Sequence, residues 1–169
     1  KLGSVFIVVF RWLRVDEIIL NQLALYFSKM DYSDQLIIHG AINGLISAFA
    51  GIPYAKSIIQ KKDEAERAWK LVHSAGSMGA ILILAISSIL NRFVSPHIEI
   101  IFYSTLICGY GFMLGMIVAA KTGNRGLISG SAFPNRLANI SYRIAALATI
   151  VVFVTCLLYT SDAADDRMR

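Results

Sequence analysis

Apolar residues along this chain gather into five long runs separated by short polar interruptions. At about 20 mainly apolar residues per crossing of a bilayer core about 30 Å thick, each run predicts a membrane-spanning helix. The expected helices cover about 4–28, 35–59, 69–93, 98–120 and 137–155, with Pro53 marking a kink or an end of the second. The links between them, KMDYSDQ, KKDEAER, NRFVSPH and KTGNRGLISGSAFPN, are polar and rich in turn formers. Composition agrees: 56% of the residues are hydrophobic and 16% charged, with a mean hydropathy of +0.62, beyond the range of an ordinary water-soluble domain. The expected fold is all-α, a polytopic transmembrane bundle of about five helices.

Both ends look non-native. The chain opens on Lys1, and CLLYTSDAAD, residues 156–165, reads like a translated transposase sequencing adapter. Residues 156–169 are therefore expected to be an artefact, native protein to end near Thr155, and the chain to be a fragment of a larger transporter.

Cationic residues orient the bundle. Lys56, Lys61, Lys62, Arg67 and Lys70 surround the second link and Lys121, Arg125 and Arg136 the fourth, whereas the first and third hold only Lys29 and Arg92. Positive loops stay cytoplasmic, so loops 60–70 and 121–136 are expected inside. The second link also carries Asp63/Arg67 and Glu66/Lys70 at helical i, i+4 spacing, and reads as a solvated helical start to the third helix. Trp69 and Tyr54 fall at headgroup level.

Chemistry-bearing motifs are sparse. Cys108 lies within an apolar run and Cys156 in the adapter-like tail, so no disulfide or zinc spacing arises. His39, His73 and His97 sit on different segments and read as helix-end or packing residues, with no metal site. With no phosphate loop, dinucleotide fingerprint or nucleophile elbow, neither an enzyme nor a cofactor is expected. Ser74, Gly76, Ser77, Gly79 and Ala80, and then Gly109, Gly111 and Gly115, permit close helix packing.

The strongest candidate site is VVFRWLRVDEIIL, residues 8–20. Arg11, Arg14, Glu17 and Asn21 form one helical stripe at spacings of three, three and four. A charge at mid-membrane costs about 2.5–3.5 kcal/mol, so this stripe calls for water or protein beside it. If the span began only after Glu17, about ten apolar residues would remain, too few to cross. Arg11, Arg14 and Asn21 are thus expected to line a cavity and bind an anionic group, and Asp16 and Glu17 to balance charge or couple ions.

The succession VDEIILNQLALYFSKMDYSDQLIIHGAINGLISAFAGIPYAKSIIQKKDEAERAWKLVHSAG, with the later GYGFMLGMIVAAKTGNRGLIS, resembles one half of the MATE-like superfamily, in its polysaccharide-export flippase branch. The resemblance implies a transporter in the bacterial cytoplasmic membrane that moves a lipid-linked oligosaccharide by alternating access. Its implied partners are membrane lipids, a lipid-linked anionic glycan or amphipathic small molecule, and the rest of its own chain, with no nucleic acid. The superfamily's cation-coupled multidrug exporters are the nearer alternative. The membrane anchor of a conjugative coupling ATPase is the alternative from another class.

Overall fold

A computed structural model describes positions 22, 25 and 26 and residues 29–123 and 133–168, with side chains followed as far as residue 160. Four helices follow one another: α1 (Tyr32–Ile59), α2 (Asp63–Leu90), α3 (His97–Thr122) and α4 (Phe133–Met168). All four are long and apolar enough to cross a membrane, and no strand occurs among the described residues. The protein is an all-helical, multi-pass membrane bundle. The helix expected over about 4–28 lies almost wholly outside the described residues.

Local chemistry explains the helix ends. Asp31 caps α1 by accepting from the Asp34 backbone N–H at 2.7 Å. Asp63, Glu64 and Glu66 occupy the first turn of α2, where the helix dipole favours negative charge. That helix accordingly begins six residues before Trp69: hydropathy marks only its buried length, while Glu, Ala, Arg and Lys extend it into the aqueous margin. Gly123, at φ +70°, closes α3 in the left-handed conformation that glycine adopts without strain. Pro53 lies within α1, which continues for six residues beyond it. The backbone of α4 runs unbroken to Met168, through the adapter-like stretch at 156–165.

Contacts pair α1 with α2 and α3 with α4, and the two hairpins meet mainly through α2 and α3. Gly76 and Gly109 make this meeting close. A Cβ on Gly109 would stand 2.8 Å from Ile83 Cδ1, and one on Gly76 would stand 2.8 Å from Met113 Cε and 3.1 Å from Ser47 Cβ. Gly79, by contrast, faces open space. Phe49, Ile52, Met78, Ile81, Leu147 and Ile150 are exposed on the outside, as lipid-facing residues are.

Candidate functional site

The bundle interior is layered. Leu36, Ile83, Leu90, Phe93, Ile101, Phe102 and Leu106 form an apolar cluster toward one end, and Ala50, Val72, Met113, Met116 and Ala120 form another toward the other end. Between them lies a polar layer. On α1 it consists of His39, Asn43 and Ser47, which recur every four residues and so share the face turned inward. Each is at most 2% exposed. Buried polar groups in a bilayer persist when they find partners, and here the partners come mostly from other helices.

His39 Nδ1 lies 2.8 Å from the Tyr110 hydroxyl, across the gap between α1 and α3, and the two rings meet edge to face at 5.7 Å. The Asn43 carboxamide donates to the His39 carbonyl at 3.1 Å, and its nitrogen would stand 3.9 Å from a Cβ built on Gly109 of α3. One step further along α1, the Ser47 hydroxyl donates to the His73 carbonyl and lies 2.8 Å from Ser77 Oγ. His73 returns the contact, with Nδ1 2.8 Å from the Ser47 carbonyl. A carbonyl only accepts, so His73 Nδ1 carries the proton there. Tyr54 stacks on the same imidazole at 6.3 Å.

Thr105 is different. Its hydroxyl is buried and has no hydrogen-bond partner among the described residues, whereas Thr122 and Thr149 return theirs to carbonyls four residues back. Toward α4, Cys108 Sγ and Thr149 Oγ1 approach to 3.0 Å. No cluster of three or more His, Cys, Asp or Glu side chains that could hold a metal ion occurs among the described residues.

The residues singled out from the sequence, Arg11, Arg14, Asp16, Glu17 and Asn21, all lie outside the described residues. What the sequence reading missed is the His39–Tyr110 pair. His39 passed for a packing or helix-end residue, yet it stands two turns inside α1. The signal was available in the four-residue recurrence of His39, Asn43 and Ser47 within a run otherwise apolar enough to span a membrane.

The described residues thus form a multi-pass bundle with a buried polar layer between two apolar clusters. The model of the styrene oxide isomerase family matches residues 32–161, and the chain belongs to that family. No curated protein and no solved structure matches it.

This membership overturns the resemblance to MATE-like flippases, and with it the functions expected of a flippase, a multidrug exporter or a coupling-ATPase anchor. It also overturns the expectation of a non-enzyme, because the family is one of enzymes. The physical reason lies in what carried the resemblance. Short outer turns, a proline in a small-residue helix and a basic charged loop are demands of bilayer insertion that unrelated polytopic proteins share.

Proposed function

We propose that this protein is a membrane-embedded isomerase that converts a small aryl epoxide, styrene oxide or a close analogue, into the carbonyl compound of the same composition. The observation that carries the reading is the His39–Tyr110 hydrogen bond in the polar layer, within the stretch that matches the family.

The chemistry needs no co-reactant. The bond between the ring oxygen and the benzylic carbon breaks, a hydride moves from the oxygen-bearing carbon to the benzylic carbon, and the oxygen left behind becomes a carbonyl. Two things must be supplied: polarisation of the ring oxygen, and exclusion of the water that would trap the cationic carbon as a diol. Tyr110 serves the first. With the imidazole proton on Nδ1, His39 donates to the phenolic oxygen, leaving the phenol hydrogen free to bond the epoxide oxygen and strengthening it as a donor. The two apolar clusters serve the second, and in their low-dielectric surroundings a fixed donor acts more strongly than in water. An aryl epoxide is itself apolar enough to enter from the bilayer.

The test is to incubate the purified chain, in lipid, with styrene oxide deuterated on its CH2 carbon. Aldehyde retaining both deuteriums supports the reading. Diol alone, or unchanged epoxide, overturns it.

In this reading the bundle resides in the bacterial cytoplasmic membrane, with loops 60–70 and 121–136 on the cytoplasmic side. The support is charge placement: Lys56, Lys61, Lys62, Arg67, Lys70, Lys121 and Arg136 gather at one end of the helices, and Lys29 and Arg92 at the other.

A further inference from the structure

Arg143 stands ten residues into α4, about 15 Å along the helix axis, inside the stretch long and apolar enough to span the membrane. It is exposed on the outer surface, flanked by the exposed side chains of Ile140, Ile144 and Leu147. An arginine on a lipid-facing surface at this depth is costly unless its guanidinium finds an anion.

Residues 29–160 place none nearby. The acids among residues 29–160 are Asp31, Asp34, Asp63, Glu64, Glu66 and Glu99. Asp31, Asp34 and Glu99 belong to the opposite end of the bundle. Asp63, Glu64 and Glu66 open α2, whereas α4 packs on α3. No acid occurs in the first turn of α4. Arg136 lies seven residues before Arg143, on nearly the same helix face and about 10.5 Å nearer the helix start, and it too is exposed. Side chains on a helix lean toward its N-terminus, so the long Arg143 stem rises along α4 toward the level of Arg136.

We propose that Arg136 and Arg143 form a binding site for the phosphate of an anionic membrane lipid, seated on the outer face of the first three turns of α4. Arg136 meets the phosphate from headgroup level. Arg143 reaches it from below, its planar fork matched to two phosphate oxygens, while the acyl chains lie along Ile140, Ile144 and Leu147. A free phosphate ion has no access at this depth, so the anion arrives on a lipid.

Native mass spectrometry of the full chain, equilibrated with equal amounts of phosphatidylglycerol and phosphatidylcholine, tests the site. The wild type retains phosphatidylglycerol preferentially, and Arg143→Gln and Arg136→Gln each lower that retention about fivefold. Arg143→Lys keeps the charge but loses the fork, and falls between. A wild type without headgroup preference overturns the proposal whatever the variants do. So does an Arg143→Gln variant, helical by circular dichroism, with undiminished retention. A variant that changes oligomeric mass while retaining lipid also overturns it, because the guanidinium then pairs with a protein carboxylate.

Discussion

Replacing Tyr110 with Phe removes one oxygen and keeps the ring that packs edge to face on His39. The structural loss is the 2.8 Å hydrogen bond between α3 and α1. Hydrogen bonds between membrane helices average about 0.6 kcal/mol and reach about 1.7 kcal/mol. His39 has a further interaction besides Tyr110, so the variant does not strand the imidazole and the cost belongs at the lower end of that range. The catalytic loss is of another size. A positioned proton donor to the reacting oxygen contributes about 10²- to 10⁴-fold in rate, equivalent to about 2.7–5.4 kcal/mol of barrier. Tyr110→Phe is therefore expected to unfold within about 1.7 kcal/mol of wild type, measured by denaturant titration in mixed micelles, while kcat for epoxide isomerisation falls at least a hundredfold with KM little changed. A variant whose activity falls by no more than its folded fraction would refute the role given to Tyr110, leaving the hydrogen bond as packing alone.

Thr105→Val removes a buried hydroxyl that has no partner among the described residues. Stability should hold or rise by about 1 kcal/mol, and an accompanying loss of isomerase activity would mark that hydroxyl as a ligand contact. Ser47→Ala breaks contacts with His73 and Ser77 and should destabilise by about 0.5–1.5 kcal/mol without altering kcat, as unfolding titration and turnover measured side by side would reveal. Gly115→Ala sets a Cβ 2.7 Å from the Tyr142 ring, which must shift bodily, and a loss of about 1–3 kcal/mol is expected by the same titration. Gly79→Ala meets nothing within 4 Å and should be neutral or slightly stabilising. Single cysteines at Lys61 and Lys121 should be shielded from an impermeant thiol reagent added outside intact cells, and one at Arg92 should react, if the cationic loops face inward.

The class of fold was legible in the sequence because it depends on sums along the chain. An apolar run long enough to cross a bilayer must be a helix there, since only a helix satisfies its own backbone in lipid. The runs that became α1 to α4 could thus be read off by length. The close approaches of Gly76, Gly109, Gly111 and Gly115 were legible for a related reason, that small residues are what lets helices touch in lipid. Gly79 carries the same sequence signal and faces open space, because which side of α2 meets a neighbour is not a property of α2 alone.

The site depended on such relations. His39 and Tyr110 are 71 positions apart, and His73 and Ser47 are 26 apart. The recurrence of His39, Asn43 and Ser47 marks an inward polar face on α1, but nothing in the sequence says which residues of other helices it meets. Their meeting is set by the rotation and height of three helices against one another, which packing at a few glycines decides. Sequence alone determined that this chain crosses the membrane repeatedly and where its charges lie along it. Only the tertiary structure decided which of its few polar side chains face one another in the bundle interior, because that pairing arises between helices and no single stretch of chain encodes it.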